Sequence, residues 1–276
     1  MSTAAASAWT RDAEAAAAQP PAAPREPLFV AGAECGSVEP ALAARLHAAG
    51  LPLAPAGRGW AVTGDPDAGL DAIARWLHGN RVCSGWRDEM LAVTDLVDRR
   101  VARIERAAVR PLGLATRAAH LVGTTPAGEV WIQQRALDKA VDPGRWDTLV
   151  GGLVAADEST PQALERETWE EAGLAAADLR GLCAIGRVTS RRPVSDGYMV
   201  EHIEMFEAVV PDDRVPANQD GEVMRFERVA PDVLQAGLAQ REFTIEATLV
   251  LLHWLRRHGA LPSTLTAPAA RRPRRR

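Results

Sequence analysis

Three glutamates at spacing i, i+3 and i+4, Glu167, Glu170 and Glu171, follow directly on Arg166 in the stretch GGLVAADESTPQALERETWEEAGL, residues 151–174. This stretch carries six acidic residues in 24, four of them in its last ten. On an α-helix the three carboxylates fall within about 60° of one another and form one acidic face. Like charges so placed destabilise a helix and hold on to protons unless something positive sits among them. A divalent cation is the economical partner. Magnesium takes hard oxygen ligands, keeps part of its water and bridges to phosphates, so the spacing points to chemistry at a phosphate linkage. The alternative, a solvated acidic face, leaves the adjoining arginine and the bracketing glycines without a reason.

A helix must carry these side chains. Ser159 with Gln162 three residues later forms a capping-box pattern, and Gly173 is a helix stop, which predicts a helix near residues 161–172. Leu164, Thr168 and Ala172 then form a separate stripe that faces a core. Around it, residues 115–124, 129–134, 149–154, 182–189, 198–209 and 223–229 are β-leaning runs, with further helices expected near 231–236 and 244–257. A mixed sheet with helices on its faces follows.

The first part of the chain alternates differently. Residues 28–31, 59–63 and 90–93 read as strands and 40–50, 66–77 and 97–109 as helices, with Asp65 as N-cap and Leu70, Ile73 and Leu77 at helical spacing. This predicts a small α/β domain over 26–112, joined near Pro111 to a larger domain over 113–262. Residues 1–25, rich in alanine and proline, read as a disordered leader, and 263–276 as a basic disordered tail.

The 276 residues are 47% hydrophobic and 25% charged, enough apolar matter for two packed cores. The net charge is −4, and setting aside the five arginines of the tail leaves −9. An acidic body of this kind excludes a broad basic face for nucleic acid. Three scattered cysteines, Cys35, Cys83 and Cys183, form neither a disulfide framework nor a zinc pattern. No basic-then-apolar signal and no run of about 18 apolar residues is present, so no membrane partner is expected and a cytoplasmic location fits.

The acidic stretch resembles the Nudix box, which is G, five residues, E, seven residues, then REUXEEXGU with U a bulky aliphatic residue. Gly152, Glu158, Arg166, Glu167, Glu170, Glu171, Gly173 and Leu174 match in register, and Thr168 departs at the first U. Seven fixed matches arise by chance on the order of once in 10⁸ starts. The resemblance implies an α/β/α sandwich with a mixed sheet and hydrolysis of a small-molecule diphosphate with Mg²⁺, for which Mn²⁺ can substitute. It implies that Glu167, Glu170 and Glu171 are metal ligands, joined by the backbone carbonyl of Gly151, and that Arg166 orients Glu167. Glu158 is a supporting acid. The general base is left open among Glu222, in NQDGEV, and Glu167 or Glu171. Arg135 matches a place where relatives hold a phosphate.

Beyond the box, GWRDEMLAV, IERAAVRPLGL, DPGRWDTLVGGL, NQDGEVMRFERV and LLHWLRRHG resemble the two-domain Nudix proteins akin to the portion fused to thiamine pyrophosphokinase in some eukaryotes. That subgroup implies thiamine diphosphate, or its damaged oxo and oxy forms, as substrate. Trp146, Trp86 or Tyr198 would then stack on its ring, and Arg87, with Asp88 and Glu89, would bring the first domain to the pocket. An ADP-ribose-like substrate and a non-catalytic nucleotide sensor are the alternatives, and a homodimer is left open.

Overall fold

The computed structural model describes residues 3–83, 85–139 and 141–261, so the basic tail expected at 263–276 lies outside them. Where a disordered leader was expected, residues Thr3–Ala16 form helix α1. Alanine is the best helix former, and Trp9, 9% exposed, gives the helix a ring to bury beside Leu251, Trp254 and Leu255 near the other end of the chain. Composition averaged over the segment concealed that one ring.

The part of the chain ahead of the larger sheet holds β1 (Glu26–Val30), β2 (Ala33–Val38), α2 (Pro40–Ala48), β3 (Leu53–Ala56), β4 (Gly59–Val62), α3 (Pro66–Gly79), β5 (Met90–Thr94) and β6 (Arg100–Glu105). Four of its strands form a sheet in the order β2-β1-β4-β3, with β1 parallel to β4. Helix α3 begins as its sequence predicts: the Asp65 carboxylate accepts the Ala68 N–H at 2.8 Å, and Leu70, Ile73 and Leu77 are fully buried. The helix expected over 97–109 does not form. Asp95 instead accepts the N–H groups of Val97 and Arg99 at 3.0 and 2.9 Å, which folds a tight turn, and β6 pairs antiparallel with β5 from Met90↔Glu105 onward. A single 3₁₀ turn, Arg106–Ala108, follows.

The second domain is built on a seven-stranded mixed sheet. Its elements are β7 (Ala115–Thr124), β8 (Val130–Arg135), β9 (Trp146–Asp147), β10 (Val150–Leu153), α4 (Thr160–Ala172), β11 (Arg180–Val194), β12 (Gly197–Val209), β13 (Val223–Val229), α5 (Pro231–Ala239) and α6 (Ile245–Arg257). The main path runs β11-β12-β7-β8-β13, with β12 parallel to β7. β7 divides its other edge: β8 pairs with Gly123 and Thr124, and β10 pairs with residues 118–121. One face of the sheet buries Leu234, Leu238, Val250 and Leu251 of α5 and α6, and the other buries Leu164 and Ala172 of α4. This is the α/β/α sandwich expected, and the site forms where β8 and β10 diverge.

Candidate active site

Helix α4 is specified by its own ends. Ser159 Oγ accepts the Gln162 N–H at 3.4 Å while Gln162 Oε1 accepts the Ser159 N–H at 2.9 Å. Gly173 closes it in the left-handed region at φ 62, and a β-carbon there would stand 2.6 Å from the Ala217 carbonyl oxygen. Thr168, the departure from the box, is fully buried and donates its hydroxyl to the Leu164 carbonyl at 2.6 Å, so the polar atom is satisfied inside the helix.

Arg166 organises the acids around it. Its Nε and Nη2 donate to the two oxygens of Glu158 at 2.7 and 2.9 Å, a bidentate pair, and Nη2 also reaches the Leu153 carbonyl at 3.2 Å. Nη1 donates to Glu167 Oε1 at 2.7 Å and to Glu170 Oε2 at 3.0 Å. The bond to Glu158 holds the guanidinium firmly protonated and holds the Glu158 carboxyl below its ordinary range.

The three helix acids occupy three environments. Glu167 lines a cleft and lies so close to Gly152 that a β-carbon at that position would collide with its carboxyl, which is why β10 carries a glycine there. Glu171 is 2% exposed, and its Oε2 accepts the Gln133 amide and the Gly151 N–H, each at 2.9 Å. Burial, and next the neighbouring Glu167 charge, push the Glu171 carboxyl up to about 8, while burial raises Glu167 against the opposing pull of Arg166. Glu170 corrects the expectation of one shared face: its side chain is 42% exposed, stays on Arg166 and does not line the cleft. Among the described residues no three His, Cys, Asp or Glu side chains gather into a ready cation cage.

A magnesium ion nevertheless suits the donors present. The buried Glu171 carboxyl feels the charge of the half-buried Glu167 beside the backbone of Gly151, and all these donors are hard oxygens. One or two carboxylates with substrate phosphates and water are a common magnesium environment, so a closed protein cage is not required.

The cleft has a volume of ≈ 460 Å³ and is lined by both acids and cations, several of them paired with one another. Arg135 lines it, donating to Asp147 Oδ2 at 3.4 Å and to the Val141 carbonyl at 3.1 Å. Glu222 lines it too, hydrogen-bonded by Lys139; burial works to raise this carboxyl, but Lys139, with the charges of Arg106 and Arg135, holds the group below its usual range. From the first domain comes Arg87, whose backbone N–H is accepted by Glu105 Oε1 at 2.8 Å. Among the described residues its guanidinium has no ion-pair partner.

The aromatic candidates lie elsewhere. Strand alternation sends Asp147 into the cleft and Trp146 to the opposite side, where the Arg225 guanidinium covers its ring at 5.1 Å. Trp86 donates to Asp88 at 2.7 Å and leans on the core of the first domain, and Tyr198 donates to the Gln19 carbonyl at 2.9 Å. Neither tryptophan nor Tyr198 lines the cleft.

Gln133, His120, Asp147, Lys139 and Glu105 were missed in the sequence. Gln133 and His120 sit on ordinary strand positions, and only the pairing of β7 with β8 and β10 brings them to Glu171 and Gly151. His120 is fully enclosed, its Nδ1 3.0 Å from Thr148 Oγ1, and burial lowers its pKa and keeps the ring neutral. Glu105, 2% exposed, accepts the N–H groups of Arg87 and Glu89. A buried glutamate at a strand end was its one available signal.

A split mixed sheet between helices, with an Arg-Glu-X-X-Glu-Glu helix laid against a glycine strand, defines the Nudix class of domain. Residues 114–249 match the family described as NUDIX domain. The chain is similar to an uncharacterised Nudix hydrolase of Pseudomonas aeruginosa, 40% identical over 92 residues, covering 33% of this chain and 54% of that protein. It is similar to Nudix hydrolase 20, chloroplastic, of Arabidopsis thaliana, 30% identical over 193 residues, covering 68% of this chain and 51% of that one. The Arabidopsis similarity is longer than the domain match and so extends outside it. In structure it is similar to DR0079 from Deinococcus radiodurans, with a TM-score of 0.50 and 23% identity, covering 60% of this chain and 99% of that chain, a likeness of fold. Residues 114–249 of the chain form a Nudix domain. The chain spans about half the length of the curated relatives it matches. Among the described residues no helix is long and apolar enough to cross a membrane.

Proposed function

We propose that this protein is a magnesium-dependent diphosphatase that converts a thiamine-type diphosphate into the monophosphate and phosphate. The observation that carries this reading is a cleft lined by Glu167 and the Gly151–Gly152 backbone together with Arg135, Lys139 and Arg87. Such a lining suits an anionic group that needs a cation and fixed positive side chains. The stretches outside the box that resemble the thiamine-linked subgroup support the choice of substrate.

In this reading Glu167, Glu171 and the Gly151 carbonyl would hold the magnesium ion, with Glu170 kept aside on Arg166; when bound, the ion would neutralise the phosphates and lower the pKa of water. Arg166 fixes one oxygen of Glu167 and thereby its direction. Glu167 takes the proton of the attacking water: it lines the cleft, and burial makes it a stronger base than Glu222, which Lys139 holds low. Arg135, Lys139 and Arg87 bind phosphate oxygens. The water oxygen bonds to the terminal phosphorus, the bridging P–O bond breaks, and its electron pair leaves on the monophosphate.

The test is product formation from thiamine diphosphate, its oxo form, ADP-ribose and simple nucleoside diphosphates, with magnesium and with chelator, using wild type and Glu171→Gln. Magnesium-dependent turnover led by the thiamine compounds and lost in the variant is expected. Turnover led by ADP-ribose would remove the substrate assignment, and no turnover of any compound would remove the enzyme reading in favour of a sensor.

A further inference from the structure

Helix α4 sets its own ends, but the loop that leads into it is held from elsewhere in the chain. The Val154 N–H donates to the Arg117 carbonyl on β7 at 2.9 Å, and the Ala156 N–H donates to the Met90 carbonyl on β5 at 2.8 Å. Leu91 and Ala155 form an antiparallel bridge at the same place. From the other strand of this hairpin, Arg100 Nη1 on β6 donates to the Ala156 carbonyl at 2.6 Å and to Asp157 Oδ1 at 3.0 Å. The hairpin is fastened in turn to the larger sheet: at its turn both oxygens of Asp98 accept from Arg187 on β11, at 2.6 and 3.1 Å. The backbone of residues 155–157 is therefore clamped between β5 and a guanidinium whose own hairpin is anchored.

This clamped loop bears directly on the reacting group. Glu158 Oε2 accepts the Ala155 N–H at 3.2 Å, which ties the carboxylate back to the held backbone. The same carboxylate takes the bidentate bond from Arg166, and Arg166 Nη1 holds Glu167 Oε1 at 2.7 Å. Of the two contacts Arg100 makes, the ion pair with Asp157 counts for less, since the side chains are 43% and 73% exposed and such pairs contribute little in water. The bond to the Ala156 carbonyl is half-buried and fixes a peptide group, not a mobile side chain. A misplacement of about 1 Å at a reacting group can cost about 10²-fold in rate, so a loosened loop has only to pass on a fraction of its movement.

We infer that Arg100 is a positioning residue for hydrolysis: by holding the Ala156 carbonyl it fixes the loop that carries Glu158, and through Glu158 and Arg166 it fixes the direction of Glu167. The inference rests on the reading of the cleft as a magnesium-dependent hydrolase site, and it holds whichever diphosphate is the substrate. It gives the β5–β6 hairpin a task in the reaction without any contact with substrate.

The test uses the full chain as wild type, Arg100→Ala, Arg100→Lys and Asp157→Asn, with melting temperatures confirming that each is folded. Activity is measured with magnesium on thiamine diphosphate, its oxo form and ADP-ribose, and kinetics are compared on whichever compound wild type turns over fastest. We expect Arg100→Ala to lose about tenfold or more in kcat with KM changed by less than about threefold, because Glu167 acts on the attacking water and not in holding the substrate. Arg100→Lys keeps a cationic donor for the Ala156 carbonyl and restores most of that loss, while Asp157→Asn stays within about twofold of wild type. Amide hydrogen exchange in chelator gives a readout independent of turnover: the Ala155 and Ala156 N–H groups should exchange about tenfold faster in Arg100→Ala. An unchanged kcat in that variant, a rise in KM alone, or unchanged exchange at Ala155 and Ala156 overturns the inference. If wild type turns over none of the three compounds, the reading of the cleft fails and this inference with it, whereas an active wild type and an equally active Arg100→Ala remove only the role of Arg100.

Discussion

The two walls of the cleft are encoded in opposite ways. Helix α4 carries its own start, stop, acids and orienting arginine within 13 helical residues and their caps, and it packs as that segment alone predicts. The wall formed by Arg87, Arg106 and Arg110 has no such local signature. Arg87 takes its place because Glu105, 18 residues away on the paired strand, holds its backbone. The contrast teaches that the reacting side of the site is written in local sequence and the selecting side in tertiary pairing.

The largest effect separates these walls by chemistry. Glu167→Gln should lower kcat/KM for the best diphosphate by roughly 10² to 10⁴, the range for loss of an essential acid-base group, with a melting temperature equal to or above wild type because an under-compensated buried charge is gone. Glu222→Gln should cost distinctly less, and an equal or larger loss would transfer the proton-removing role to Glu222. Next comes Gly152→Ala, which leaves every charged group in place but drives its methyl into the Glu167 carboxyl. A displacement of this kind should lower kcat by about 10²-fold, and an active Gly152→Ala enzyme would show that the closeness of helix and strand is not needed.

The opposite wall should respond in another parameter. Arg87→Ala should raise KM by about tenfold with a smaller change in kcat, as expected for a group binding substrate and transition state alike. A pure kcat effect would break the distinction between the walls. A smaller effect still tests α4 as a local unit: Ser159→Ala should lower stability by about 1 kcal/mol, seen as a fall of roughly 2–4 °C in melting temperature.

The acid wall also predicts a pH dependence of stability. Glu171 titrates near 8 in the folded chain against an ordinary 4.5, so the native state binds the extra proton between those values. Without metal, its contribution is full below pH 4.5 and is lost as pH rises through about 8. Melting temperatures in chelator should therefore fall across that window, and Glu171→Gln should flatten the slope. Added magnesium, binding the ionised form, should flatten it in wild type as well. Identical slopes for wild type and variant would place the titrating group elsewhere.

Much of the larger sheet and α4 was legible because the strands fall in β-leaning runs and α4 carries its capping box, its proline start and its glycine stop. Thr168 was legible as a departure but not as a harmless one, since its satisfaction depends on a rotamer that returns the hydroxyl to Leu164. Residues 97–109 misled because Val97, Val101 and Ile104 have near-helical spacing, while the Asp95 turn and pairing with β5 decide for a strand. The stacking role assigned to Trp146 failed for a related reason: which face of β9 meets the cleft follows from register, and one residue of register inverts it. Arg100 carried no signal, since its segment reads as helix and the carbonyl it holds lies 56 residues further on.

Helix α1 leaves a last consequence, one of timing. The Glu14 carboxylate meets Arg256 at 2.5 Å across a separation of 242 residues, and Trp9 rests on the same late helix. During synthesis α1 therefore emerges long before the surface on α6 that will receive it exists. Its indole must travel with the nascent chain, exposed to water or to a chaperone, until α6 has left the ribosome.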